Sequence, residues 1–261
     1  MALGSFFCVG LLSRGGAALL SLFYPAHCAA CGCRLPDERD DKNDEGGNEE
    51  GVICEECSKE ILSPPDHRCP ICSHPMVGIL LCPNCDGRRW HLSVIVAACR
   101  YEGFVRELIQ RFKYGKDQTL VRLLGDLVVT AVEDPRLREK KFDAIVPVPL
   151  HSLKEREREF NQSELLANRL GKKLGIPVIH ALKRIRATAP QAGFDRARRM
   201  ENLEGAFVFA NAKAQRGAWQ QDATILLVDD VTTTGTTLDA CAAILMGEGA
   251  AEVCAVTIAR G

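Results

Sequence analysis

Two groups of residues in this 261-residue chain have types and spacings that could do chemistry. The first runs Ile225-Leu-Leu-Val-Asp229-Asp230-Val231-Thr232-Thr233-Thr234-Gly235-Thr236-Thr237-Leu238. An apolar stretch ends in two acids, and a Thr/Gly loop then opens a helical pattern. The start of a helix offers unpaired backbone N–H groups and the positive end of the dipole, both suited to a phosphate. Gly235 lets the backbone approach closely and take dihedrals that other residues avoid. The threonine hydroxyls add donors. Asp229 and Asp230 lie one loop away, where their carboxylates can accept hydrogen bonds from two ribose hydroxyls, directly or beside a Mg²⁺. A phosphate next to a diol describes a ribose 5-phosphate. The run is neither GxxxxGK[ST] nor GxGxxG. A helix N-cap preceded by an acidic turn is the plainer alternative.

The second group is cysteine. The chain has 13, and eight form four CxxC pairs: Cys28/Cys31, Cys54/Cys57, Cys69/Cys72 and Cys82/Cys85. One CxxC can be a redox motif. Four so close together read instead as two tetrahedral thiolate sites, with Zn²⁺ the default occupant. Sequential pairing of the turns is favoured because the 72–82 loop is short and cheap to close. Interleaved pairing stays open on spacing alone. A disulfide scaffold and an iron–sulfur cluster are the alternatives. The segment has few large apolar residues, so metal must supply folding free energy, on the order of 10 kcal/mol per structural site. Cys33, His27, His67 and His74 read as bystanders. Cys8, Cys99, Cys241 and Cys254 sit among apolar residues and read as small buried hydrophobes.

The elements around these groups follow from periodicity. After Cys85 cysteine becomes sparse, and a boundary falls near residues 86–91. Strands are expected over 93–99, 142–150, 176–182, 223–230 and 251–259, and helices over 104–112, 120–132, 163–175 and 236–248. The 223–230 run is apolar throughout, as a buried parallel strand should be. Alternating strands and helices predict an α/β fold, an open, mostly parallel sheet with helices on both faces. Ligands of such sheets bind beyond the carboxyl ends of the strands.

Composition is that of an ordinary globular protein, 46% hydrophobic and 26% charged with a net charge of −1, so no global basic field points to nucleic acid. Residues 37–50 carry eight acids against two bases and read as a solvated insertion. Residues 1–24 are apolar but interrupted by Arg14 and a glycine pair. They are expected to form a short helix with one apolar face, not a membrane span of about 20 residues. The expected organisation is therefore 1–24 as this helix, 25–88 as a small Cys-rich domain and 91–261 as the α/β domain.

The Asp229–Thr237 run resembles the 5-phosphoribosyl-1-pyrophosphate (PRPP) signature of type I phosphoribosyltransferases. Three further segments join it: VPVPLHSLKEREREFNQSELLA (146–167), RIRATAPQAGFDRARRMENLEGAF (184–207) and YEGFVRELIQRFKYGKD (101–117). Together with the paired CxxC turns, these resemble the ComF family. That family joins a double zinc ribbon to a type I phosphoribosyltransferase domain and is linked to DNA uptake. The resemblance covers about residues 22–260. It implies a sheet of the phosphoribosyltransferase kind, two structural Zn²⁺, and PRPP bound with Mg²⁺. Asp229 and Asp230 would then be catalytic, and Val231, Thr232, Thr233, Thr234, Gly235, Thr236 and Thr237 would hold the 5-phosphate. Lys154, Arg156 and Arg158 would lie on a pyrophosphate loop, with a solvated charged turn as the alternative. Arg184, Thr188, Gln191 and Arg199 would lie on a flap over the site, with a nucleic-acid contact patch as the alternative. Where the family pattern reads Arg-Gly-Phe-Asn-Gln, this chain has Arg158-Glu159-Phe160-Asn161-Gln162. The resemblance implies a pentosyl transfer to an unnamed acceptor. Single-stranded DNA and the DNA-uptake machinery are further partners it suggests. The alternative is a DNA-handling protein that keeps the transferase fold as a ligand sensor. A cytoplasmic location is expected, with peripheral inner-membrane association through residues 1–24 as the variant.

Overall fold

The computed structural model describes residues 27–35, 53–61, 67–76, 78, 80–115, 120–186, 205–210 and 221–261. The expected helix at 1–24, the acidic insertion 37–50, and Thr188, Gln191 and Arg199 lie outside these residues. The chain divides into two compact units, Met1–Lys59 and Glu60–Gly261.

Unit one holds a cysteine turn at residues 27–35 and a short helix, α1 (Glu55–Lys59). Unit two is built on four parallel strands: β1 (Val94–Arg100), β2 (Ala144–Pro147), β5 (Ala223–Thr232) and β6 (Ala250–Arg260), in the order β1-β6-β5-β2. An antiparallel pair, β3 (Leu182–Arg184) and β4 (Phe207–Phe209), forms a separate ribbon. The helices are α2 (Gly103–Tyr114), α3 (Leu120–Val132), α4 (Ser152–Arg158), α5 (Gln162–Leu174) and α6 (Thr236–Gly247). β5 is buried almost throughout, as its unbroken apolar run requires. Strand alternation sends Ala144, Val146, Ile225, Leu227, Val253 and Ala255 into one core with Leu238, Cys241 and Leu245 of α6. The open parallel α/β sheet anticipated from periodicity is therefore present. Cys99, Cys241 and Cys254 are buried in it as expected.

Two elements differ from the periodicity. Residues 176–182 make one parallel bridge, Ile145 to Val178, and only Leu182 enters a strand. Pro177 supplies a carbonyl to Ile145 but has no N–H to give the ladder. Residues 152–158, expected as a loop, form α4. Its Leu-Lys-Glu-Arg-Glu-Arg content is helix-forming, and the His151 ring nitrogen caps it by accepting from the Leu153 N–H. Glu159 closes α4 in the left-handed region at φ 68. A side chain there carries a steric cost of roughly 1–2 kcal/mol.

The second cysteine quartet belongs to unit two. Cys69, Cys72 and Cys82 pack in the same core as α6. Its turn also covers the free margin of the sheet, where β1 is the edge strand. The Ile95 N–H donates to Ile71 O (2.7 Å), and the Ser73 hydroxyl donates to Ile95 O (2.6 Å). Arg260, at the end of β6, donates to Cys72 O at 2.6 Å. Edge strands need such cover, because unpaired backbone groups otherwise invite another chain.

Candidate functional site

The two cysteine turns share one local design. Cys28 N–H bonds Cys33 O and Gly32 N–H bonds Cys28 O; likewise Cys69 N–H bonds His74 O and Ser73 N–H bonds Cys69 O. Gly32 (φ 74) and Ser73 (φ 58) take the same left-handed step after the second cysteine. A tetrahedral thiolate site with bonds of about 2.3 Å has sulfur–sulfur edges near 3.8 Å. The observed separations are 3.6 Å for Cys69–Cys85, 3.6 Å for Cys72–Cys82 and 3.8 Å for Cys31–Cys54. Both groups thus have the donor chemistry and spacing to bind a metal ion. In unit two the four sulfurs within 4.8 Å of one another are Cys69, Cys72, Cys82 and Cys85. In unit one they are Cys28, Cys31, Cys33 and Cys54. Cys57, expected as a ligand, stands outside those four; it is buried beside them, its N–H donates to Cys54 Sγ at 3.4 Å, and its thiol interacts with those of Cys54, Cys31 and Cys28.

The carboxyl end of β5 carries the other site. Asp229 and Asp230 lie within the strand, and the chain turns at Gly235 (φ 72) into α6 without a side-chain cap. A cavity of about 50 Å³ is lined by Asp229 and the run Val231–Leu238. The Thr232 hydroxyl is buried and has no hydrogen-bond partner among the described residues. A buried hydroxyl without a partner, on a residue that lines a small polar cavity, leaves hydrogen-bonding capacity for a polar guest there.

The acid pair is held from two sides. The Ser163 hydroxyl donates to Asp229 Oδ1 at 2.9 Å, and Lys113 Nζ pairs with Asp230 Oδ2 at 3.0 Å. Burial, then the Asp230 charge, pushes the Asp229 carboxyl up to about 7; Ser163, the Asp230 N–H and Lys113 only partly oppose this. A raised acid pKa means stability is full below the unfolded value near 4 and is lost as pH rises toward 7. Asp229→Asn removes that loss. It is expected to raise Tm above the wild type by several degrees at pH 8, at about 2–4 °C per kcal/mol. The gap should open from about pH 4 upward, level off above 7, and be followed by paired thermal melts.

Of the bases expected nearby, the structure brings some together. Arg158 is buried, donating to Gln162 Oε1 (3.0 Å) and to the Tyr114 hydroxyl (3.3 Å). Burial, then the charges of Arg184, Arg158 and Lys113, pushes the Lys154 ammonium below its usual range. These four cations therefore lie near one another, and Lys113 and Arg184 also act on Asp229. Arg156 faces solvent on the other side of α4. Arg184 sits in β3, its guanidinium 5.2 Å from the Phe207 ring centre. A wider cavity of about 420 Å³, lined among others by His151, Asn161, Glu164 and Arg184, opens beside it. Ser163 and Tyr114 were not singled out from the sequence. A lone hydroxyl in a helical segment gives no signal until topology sets it against Asp229.

No family model matches the chain. The Competence protein F of Haemophilus influenzae is 33% identical over 214 residues, covering 80% of this chain and 90% of that protein. The DNA utilization protein YhgH of Salmonella typhimurium is 31% identical over 205 residues, covering 77% of this chain and 87% of that protein. The chain belongs to the ComF family. Among solved structures, a purine phosphoribosyltransferase from Pyrococcus horikoshii is similar at a TM-score of 0.33 and 19% identity, covering 54% of this chain and 84% of that one. No helix among the described residues is long and apolar enough to cross a membrane.

Proposed function

We propose that the protein binds PRPP with Mg²⁺ at the β5–α6 turn, acts as a phosphoribosyltransferase-type protein and serves DNA uptake, with Zn²⁺ in its two cysteine groups. The observation that carries the reading is the juxtaposition of a small polar cavity at an uncapped helix start with the Asp229–Asp230 pair. In this reading the Thr232–Thr237 backbone and hydroxyls take the 5-phosphate, and the two acids accept from the ribose hydroxyls. Lys154 and Arg158 face the diphosphate, with Arg184 beside them. Mg²⁺ supplies charge neutralisation on the diphosphate oxygens when it binds with the substrate. Transfer would form a bond from the anomeric carbon to a nitrogen nucleophile. The C–O bond to pyrophosphate breaks, and its electron pair leaves with pyrophosphate. The acids stabilise positive charge developing on the ribose, and the bases stabilise the leaving group. The link to DNA uptake rests on the names carried by the relatives.

The test is calorimetric titration of PRPP in Mg²⁺ buffer into wild type, Asp229→Asn and Asp230→Asn. Binding to the wild type is expected, with at least a tenfold loss in each variant, about 1.4 kcal/mol or more. A wild type that takes up no PRPP overturns the reading.

A further inference from the structure

The loop that closes on the small cavity is held from behind by the chain that follows the second cysteine quartet. Arg88 lies three residues beyond Cys85, and its N–H bonds Cys85 O at 3.0 Å. Its guanidinium donates to Thr234 O at 2.8 Å and pairs with Asp239 Oδ2 of α6 at 3.3 Å. Asn84, between the last two cysteines, donates to the same Thr234 O at 3.3 Å. The His91 N–H takes the other oxygen of Asp239 at 2.7 Å. Trp90 lies under the Arg88 guanidinium, 3.4 Å from carbon to ring centre, and its ring stands 2.9 Å from where a Cβ on Gly235 would be.

These contacts have a directional consequence. In a trans peptide the C=O of one residue and the N–H of the next point to opposite sides. Two donors that hold Thr234 O therefore turn the Gly235 N–H to the side away from Asn84 and Arg88, and Thr234, Gly235 and Thr236 line the small cavity. Arg88 is well suited to this task, being almost fully buried and fixed by ring and carboxylate together. The cysteine quartet in turn fixes Asn84 and the start of the Arg88 segment.

Resting on the reading of the β5–α6 turn as a phosphate site, we infer that Arg88 is a positioning residue that makes the Cys69/Cys72/Cys82/Cys85 turn the rear wall of that site. Metal held by these cysteines and anion held by the loop then bind with positive coupling. Such coupling is reciprocal by linkage.

The full chain is loaded with zinc, and inorganic phosphate and PRPP are each titrated into wild type, Arg88→Ala, Arg88→Lys and Asn84→Ala. Metal loss to a chelator is followed for each with and without saturating phosphate. In Arg88→Ala phosphate affinity should fall about tenfold or more, the scale of a lost charge-assisted bond. Arg88→Lys should recover part of this loss, since it keeps the charge without the fork. Phosphate should slow metal loss from the wild type and not from Arg88→Ala, an effect that general loosening of the fold does not produce. Should Arg88→Ala not fold, Asn84→Ala carries the test, with a smaller loss in the same direction. Equal phosphate affinity in wild type and the folded variants overturns the brace alone. No binding of either probe to the wild type overturns the phosphate reading, and the brace with it.

Discussion

Cys72→Ser is expected to remove one zinc equivalent per chain and to lower Tm by about 10 °C or more. Cys72 is fully buried, its sulfur lies 3.6 Å from that of Cys82, and it packs in the core shared with α6. Structural zinc sites contribute apparent binding energies of about 10–16 kcal/mol, so losing one of four thiolates forfeits several kcal/mol of folding energy. The loss also frees the segment that accepts from the Ile95 N–H of β1 through Ile71 O and from Arg260 through Cys72 O. Metal analysis and a thermal melt on the same preparation check it. A variant that keeps both metals and the wild-type Tm would show the quartet to be dispensable.

Gly235→Val is expected to cost about 2–4 kcal/mol and to abolish phosphate binding. Two effects add. The residue has φ 72, which L side chains adopt with strain. A Cβ there would also stand 2.7 Å from Ile95 Cδ1 and 2.9 Å from the Trp90 ring, so β1 or the ring must yield. Both neighbours belong to the packed interior around the second quartet, which has little room to give. Denaturant melts give the stability, and phosphate titration of the folded fraction gives the binding. Wild-type affinity in this variant would mean that the loop does not need the close approach its glycine allows.

The parts of the fold that were legible from sequence are those whose signal is local. The apolar run ending in Asp229-Asp230 and the glycine opening α6 announce a buried strand, a turn and a helix within fifteen or so residues, and the structure shows all three. α5 was equally plain, with Asn161 capping Ser163 N–H and Gly175 ending it at φ 70. α4 was hidden because its charges alternate in sign and it has no apolar stripe; only Arg158 is buried. The ribbon of β3 and β4 was hidden for another reason. Three-residue strands 25 residues apart carry no usable period, and pairing alone defines them. The site divides in the same way. Its acids and loop threonines are a continuous string, whereas Lys113, Ser163 and Arg88 reach it only through folding, Arg88 from 146 residues away. The cysteine pattern fixed four turns but not the membership of Cys33, which spacing placed beside the ligands and the structure places among the sulfurs of unit one.

One hook, a CxxC followed by a left-handed step, appears twice among the described residues with the same internal bonding. The copy at 28–33 sits in a unit of its own, while the copy at 69–74 is mortared into the sheet. The second shares an interior with the ground on which an anion would rest. On the inferred brace, any drift in its preference for an ion is also a drift in the tilt of that ground, and the two traits would be retuned together.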